Sequence, residues 1–588
     1  MEASDIKERG KEKWVVAAKK ADFQAIGREF GIDPVIARII RNRGYTDENE
    51  IGKYLRGGRE SLYDPHLLKD ADRAAEILKE KISDGKKIRV IGDYDIDGVE
   101  STYILLQAFA RCGADADEAI PERKKDGYGI NRRLIGCAIE DGVDTIVTCD
   151  NGIAAAAEIR AAEEAGITVI VTDHHDIPDE PARADAVVNP KQADCSYPFK
   201  GLCGAAVAWK LVQVLYEKMG ISVREADVFL ENVGFATVGD VMDLRDENRI
   251  LVKLGLEMFN RTENPGMRAL IRLNHLDPGR ISAYHIGFRL GPCINAGGRL
   301  ATAQRALKLL LSRDEAEAER LAAELVELNE ERKALTEQAV EEAEDLIEKE
   351  GMEEDRVLVI FLPDCDESIA GIAAGRIRER HNRPVLVLTR GETCAKGSGR
   401  SIECYNMFAE LNRVKDLFIA FGGHPMAAGF SLEEERIPEL RRRLNENTSL
   451  TDEDLVPKLV IDVPMPMDYV TPDFVHQLEI LEPFGKGNEK PVFAESGLAV
   501  RSVRLVGKEK NVSQLKLVTS RGSLKNAVYF GDPENLRAVL AEKYGEDAAG
   551  RVMAGGSVPE IRLSFSYYPE IDSWRGEENL QFVVTGFQ

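Results

Sequence analysis

The sequence predicts a multidomain α/β chain: a parallel-sheet domain, a long connecting helix, a smaller α/β domain, and a C-terminal small barrel or sandwich, with an oligonucleotide-binding (OB) barrel among the candidates. Three observations carry this prediction. Short β-branched runs alternate with apolar helical stretches through the first half of the chain. Residues 313–350 are rich in Ala, Glu, Leu and Lys and contain neither Pro nor Gly. From Lys458 onward, short alternating strands such as 498–506, 514–518 and 580–584 replace the βα rhythm. With 588 residues the chain has room for roughly three or four domains, each with an ample core.

A helical lead over residues 1–75 precedes the first α/β domain, expected at 76–311. Its first strand, residues 88–91, ends in Asp93-Tyr94-Asp95-Ile96-Asp97-Gly98, and residues 99–112 read as a largely apolar helix. Two later strands repeat the arrangement: 145–149 runs into Asp150-Asn151-Gly152, and 168–172 into Asp173-His174-His175. Right-handed crossovers point such strand ends at one edge of the sheet, where open α/β folds bind their ligands. Three carboxylates within five residues repel one another unless cations hold them. An EF-hand loop would begin with the same D-x-D-x-D-G, but its twelfth position here is Ile104 instead of Glu, and a strand, not a helix, precedes it. A fourth acidic element follows a helix at 205–216, where residues 235–239 lead into Asp240-Val241-Met242-Asp243, and either aspartate is placed to turn inward.

Ser312-Arg313-Asp314-Glu315 reads as a capping box opening the connecting helix over 312–350. A helix of about 38 residues would span roughly 57 Å and act as a strut. The strand at 356–361 starts the smaller domain, expected at 351–455, and the β-rich domain takes 456–588.

Composition narrows the function classes. No apolar run approaches a membrane span, and the charged N-terminal residues 1–14 lack a secretory signal, so a cytoplasmic protein is expected. Nine cysteines without a C-x-x-C pair argue for free thiols instead of a disulfide framework or a zinc site. The 78 basic and 102 acidic residues give a net charge of −24, which by itself argues against a nucleic-acid partner. Residues 496–530 run the other way, with Arg501, Arg504, Lys508, Lys510, Lys516, Arg521 and Lys525 against Glu509 alone.

The ordered series D-x-D, D-N-G, D-H-H and G-D resembles the DHH phosphoesterase superfamily. Tyr128-Gly129 after Pro121-Glu122-Arg123, the G-P-C-I-N-A of 291–296, Ser398-Gly399-Arg400-Ser401, the F-G-G-H-P-M-A-A-G of 421–429 and the L-E-P-F-G-K-G-N of 481–488 extend the likeness over residues 14–587. The branch that it resembles is the RecJ-type, single-strand-specific exonucleases. The resemblance implies a DHH-type sheet domain, a DHHA1-type smaller domain and an OB-like barrel. It further implies 5′ to 3′ hydrolysis of single-stranded DNA to mononucleotides in DNA repair and recombination.

It implies two divalent ions, Mn²⁺ or Mg²⁺, on Asp95, Asp97, Asp150, His174 and Asp240, with Asp97 or Asp150 as the bridge. An oxygen-rich site with one imidazole suits those ions better than zinc. Asp97, Asp150 and His175 would be catalytic, with His175 meeting the phosphate, while Asp93 and Asp173 would orient ligands or water. Arg123, Tyr128, Ser398, Arg400 and His424 would hold the substrate and its 5′-phosphate. Arg501, Arg504, Lys508, Lys510 and Lys516, with Phe565, Tyr567, Tyr568 and Trp574, would grip the trailing strand. A single-strand-binding protein and a helicase are the implied partners of an expected monomer.

Two single positions and one short stretch depart from the pattern. Ile91 stands where the pyrophosphatases of the superfamily place a metal-binding His. Cys293 replaces an Arg expected at the 5′-phosphate, a loss worth about 1–3 kcal/mol of selection. Asp366-Glu367-Ser368 replaces a Trp-containing approach to the smaller domain. A phosphodiesterase for short oligoribonucleotides or small nucleotides would share the metal motifs, but it has no use for a barrel and a long strut. A DNA-binding scaffold without activity would have lost acidic ligands, and every expected carboxylate is present.

Overall fold

A computed structural model describes residues 12–507, 509–556, 558, 561–572 and 579–588; Lys508 and Trp574, both expected to grip DNA, lie outside them. The described chain forms two compact units. One comprises residues 47–332 with 481–489, the other the residues before 47 with 333–480 and 490–588.

The described residues open with strand β1 (Lys13–Val16), whose partner comes much later. The unit of residues 47–332 is built on β2 (Lys87–Ile91), β3 (Asp115–Ala119), β4 (Thr145–Cys149), β5 (Thr168–Thr172) and β6 (Ala186–Val188). They form a wholly parallel sheet in the order β3-β2-β4-β5-β6. The three strands legible in the sequence are therefore its three central ones. Their β-branched residues are buried on both faces, as a parallel sheet covered by helices requires. The edge strand β3, Asp-Ala-Asp-Glu-Ala, has no apolar run to betray it. It is held instead by Arg89 of β2, whose Nε and Nη2 both reach the Asp117 carboxylate at 2.7 Å.

Helices Ile96–Arg111 and Gly204–Lys218 bury nearly every residue in the core of this unit. The second helix is fixed from within by Lys210, whose ammonium reaches Glu247 at 2.7 Å and the Tyr63 carbonyl at 2.6 Å. The Tyr197 hydroxyl donates to the other Glu247 oxygen at 2.6 Å, so each member of this buried charge pair has a second hydrogen-bond partner.

The connecting helix, Glu315–Lys349, has 35 residues and is thus about 52 Å long. Its cap differs from the expected one: Asp314, not Ser312, accepts the Glu317 amide at 2.8 Å, while the Ser312 hydroxyl turns to the Asp314 carbonyl. The helix carries the chain into the other unit.

There, β7 (Leu358–Phe361), β8 (Val385–Arg390), β9 (Ala395–Arg400), β10 (Ala420–His424) and β11 (Ala427–Leu432) form a mixed sheet in the order β10-β11-β9-β8-β7. Strand β12 (Lys458–Ile461) pairs in parallel with β1. The last sheet contains β13 (Val463–Pro464), β14 (Phe493–Val506), β15 (Val512–Val518), β16 (Leu524–Tyr529), β17 (Arg562–Asp572) and β18 (Asn579–Phe587). It runs β14-β15-β16-β18-β17 and returns to β14, closing a five-stranded barrel. Phe565 and Tyr567 are buried in it and Tyr568 is nearly so. Phe565 and Tyr567, expected to grip DNA, are core residues, because the period-two alternation of β17 turns both inward, whereas Tyr568 faces the other side and carries the Lys490 ammonium 3.9 Å from its ring centroid.

Residues Leu481–Glu489, expected within the C-terminal domain, pack with the parallel-sheet unit. All nine cysteines are free thiols. Among the described residues no helix is long and apolar enough to cross a membrane.

Candidate metal centre

Asp95 caps the helix Ile96–Arg111, accepting the Asp97 and Gly98 amides at 3.1 Å each, while Asn295 accepts the Ile96 amide at 2.8 Å. This cap throws Asp97 inward. Its carboxylate accepts the Gly204 and Ala205 amides at 2.6 and 2.8 Å, and so lies on the positive end of the helix Gly204–Lys218. Asp150 follows β4 in the left-handed region at φ 60°, which Asp tolerates better than most residues. Gly204 is required opposite it: a Cβ there would stand 2.7 Å from the Asp150 Cβ. His174 follows β5. Asp240 comes from a different kind of element, the C-terminal end of the helix Leu230–Gly239. Asp243 is half exposed and pairs with Lys486 at 3.4 Å, so of the two candidates it is Asp240 that turns inward.

The side chains converge. His174 Nε2 lies 3.0 Å from Asp150 Oδ1, 3.6 Å from Asp97 Oδ2 and 3.7 Å from Asp240 Oδ2. In two groups of three, Asp97 with His174 and Asp240, and Asp93 with Asp95 and Asp150, the donor atoms all lie within 4.8 Å of one another. Burial raises the carboxyls of Asp93, Asp150 and Asp240 well above the usual range, and the charges of their neighbours raise them further. Asp97 is pushed up to about 6 by burial and then by Asp95. Burial, then the neighbouring His175, pushes His174 down to about 3, leaving its imidazole neutral and able to donate a lone pair. Asp93 Oδ2 and Asp150 Oδ1 are buried without a hydrogen-bond partner. Orphaned oxygens in a ring of mutually repelling carboxyls fit a divalent cation, which would relieve both costs.

Beside this ring, His175 Nδ1 meets Asp173 Oδ1 at 2.8 Å. Burial opposes the charge on His175, but the bond to Asp173 prevails and raises it to about 9. Asp173 also accepts the Ile153 and His174 amides at 2.9 and 2.7 Å, so it orients the strand end. Tyr128, 48% exposed, donates its hydroxyl to the Asp150 carbonyl at 2.6 Å, and its ring stands edge-on to His175 at 5.5 Å. Arg123 lies over the Tyr94 ring at 5.2 Å. Cys293 is fully buried against Asn274, so no cation occupies the position expected to carry Arg.

In the other unit, Arg400, Ala427 and His424 are neighbours in register across β9, β11 and β10. Arg400 reaches the Ser398 hydroxyl at 3.1 Å. Gly371 permits that pairing, since a Cβ there would meet both side chains at 2.8 Å. On the barrel, Arg501, Arg504, Lys510 and Lys516 are exposed, whereas Lys525 is largely covered and neutralised by Asp468 at 3.0 Å.

Two contributors were not singled out from the sequence. The Gly204 and Ala205 amides signal themselves only as a glycine at a helix start. Asn151 ties two strand ends together, donating to the Ile91 and Cys149 carbonyls at 3.0 and 2.8 Å.

Known proteins resemble the chain over nearly its whole length. Residues 87–231 match the DHH family N-terminal domain, 354–449 the DHHA1 domain and 461–586 the RecJ OB domain. The chain is 34% identical over 579 residues to the single-stranded-DNA-specific exonuclease RecJ of Bacillus subtilis, spanning 98% of this chain and 70% of that protein. It is 32% identical to the RecJ of Escherichia coli, spanning 94% of this chain and 95% of the relative. The crystal structure of Thermus thermophilus RecJ in complex with Mn²⁺ superposes with a TM-score of 0.81 at 28% identity, covering 98% of this chain and 79% of that one. With its three domain types in order and curated relatives matched over nearly its whole length, the chain belongs to the RecJ family of DHH phosphoesterases.

Proposed function

We propose that the chain is a two-metal exonuclease that hydrolyses single-stranded DNA from the 5′ end to mononucleotides in DNA repair and recombination. The observation that carries the reading is the convergence of carboxylates and one neutral imidazole from four separate segments, with two buried oxygens unpartnered. Asp97, His174 and Asp240 would hold one ion; Asp95 and Asp150 would hold the other, with Asp150 within reach of both groups. Asp93, expected only to orient ligands, is grouped with Asp95 and Asp150, and its free Oδ2 would serve where Ile91 offers no nitrogen. Held there, a pair of ions would supply an activated water and a counter-charge for the scissile phosphate and leaving oxygen.

The chain's own groups do the rest. His175, held in place by its 2.8 Å hydrogen bond to Asp173, would present its imidazole to a non-bridging phosphate oxygen. Tyr128, fixed through Asp150, offers its exposed ring to a base near the 5′ end. Arg123, Ser398, Arg400 and His424 would hold the terminal phosphate, with weaker selection because Cys293 adds no charge. Arg501, Arg504 and Lys516 would track the trailing strand, and this barrel favours long strands over the alternative of short oligoribonucleotides. A cytoplasmic monomer working with a single-strand-binding protein and a helicase completes the proposal.

The test uses the full chain with Mn²⁺ and 5′-phosphorylated oligonucleotides labelled at either end. Mononucleotides should appear from the 5′ end of single strands while blunt duplex persists. Equal attack on both ends, or on duplex, would contradict the reading.

A further inference from the structure

The segment Leu481–Glu489 leaves its sequence neighbours and packs with the metal-centre unit. Its tip is a tight turn in which Gly485 and Asn488 exchange backbone hydrogen bonds at 3.1 and 3.0 Å, with Gly487 at φ 72°. Its base is fixed. Asn488, buried, accepts from the Tyr54 hydroxyl at 2.9 Å and donates to the Leu481 and Pro483 carbonyls at 2.8 Å. Arg249 donates to the Leu481 carbonyl at 2.9 Å.

The tip meets the loop that carries Asp240. The Leu244 amide donates to the Lys486 carbonyl at 2.7 Å, Arg245 Nε to the Gly487 carbonyl at 3.2 Å, and Lys486 Nζ stands 3.4 Å from Asp243. A Cβ on Gly487 would lie 3.2 Å from the Asp243 Cβ, in a backbone conformation that L residues rarely adopt. Between Asp240 and this contact sits Val241 at φ 56°, a strained conformation for a β-branched residue. Its side chain is 59% exposed, so its own packing does not hold it there. The amides of Val241 and Met242 are tied back to Val238 and Thr237 at 3.1 Å each, and the far side of the turn is held by the 481–489 tip.

We infer that residues 485–488 act as a positioning element for Asp240: by holding 243–245 they keep the strained Val241 turn in place and the Asp240 carboxylate aimed at His174. The inference rests on the proposed role of Asp240 as a metal ligand. Supporting contacts of this kind typically alter metal affinity by about 10–100-fold when broken.

The experiment is calorimetric titration of the full chain with Mn²⁺, without DNA. Gly487→Ala should weaken Mn²⁺ binding about tenfold. Lys486→Ala, a half-exposed side chain whose loss does not threaten the fold, should weaken it less, and Lys486→Arg should restore it. In an Asp240→Asn background the same substitutions should cause no further loss, because the element acts through that carboxylate. Additive losses, or unchanged Mn²⁺ affinity in both Gly487→Ala and Lys486→Ala, would overturn the positioning role. Unchanged affinity in Asp240→Asn alone would instead remove the ligand assignment on which the role depends.

Discussion

Asp97 and Gly204 stand 107 residues apart in the chain and are joined by a 2.6 Å hydrogen bond from amide to carboxylate. The same glycine leaves no room for a Cβ beside Asp150, so one position sets the spacing of two carboxylates. Gly204→Ala should therefore push Asp97 and Asp150 apart and lower activity by about 10–100-fold, the usual cost of disturbing groups that orient metal ligands. Steady-state rates, with circular dichroism to confirm the fold, check this; full activity would show that the spacing is not set there.

Glu100 is fully buried and accepts from Asn232 at 2.7 Å, while its other oxygen has no hydrogen-bond partner. Burial raises its carboxyl to about 8 from an ordinary 4.5. The unfolded chain releases this proton from pH 4.5 upward while the folded chain keeps it until about 8, so stability falls with rising pH inside that window. The slope is about 1.4 kcal/mol per pH unit at most. Glu100→Gln keeps the Asn232 bond and removes the slope. Urea unfolding at pH 5, 6.5 and 8 should show the variant gaining on the parent as pH rises; parallel curves would refute the assignment.

The barrel separates cations that are free to meet phosphate from one that is not. Arg504→Ala with Lys516→Ala should weaken single-strand binding and reduce the salt dependence by about 0.7 in slope per lost contact. Lys525→Ala should leave both unchanged, because Asp468 already neutralises Lys525. Fluorescence anisotropy on a labelled oligonucleotide across KCl concentrations distinguishes the two, and equal losses would contradict the ranking.

Much of the candidate metal centre was legible because Asp150 and His174, two of its proposed ligands, come directly after strands that announce themselves. Residues 145–149 and 168–172 are apolar and β-branched, so Asp150 and His174, just past their ends, have to lie at a sheet edge. β3 was not legible, since an edge strand held by the Arg89 fork needs no apolar run. The barrel aromatics misled because Phe565 and Tyr567 look the same in sequence whether they face a core or a base. The 481–489 turn reads locally as a loop, and its pairing with 243–245 is a contact between distant parts of the chain that no periodicity encodes. A truncation near Leu455, the boundary that the sequence suggests for removing the barrel, would take this turn away too.

The most direct test of the central claim is calorimetric titration of the intact chain with Mn²⁺ beside Asp150→Asn, the carboxylate within reach of both ligand groups. The parent should bind two ions per chain, and the variant should take them up at least about tenfold more weakly with its fold retained. No manganese uptake by the parent, or an isotherm unchanged by Asp150→Asn, would contradict it.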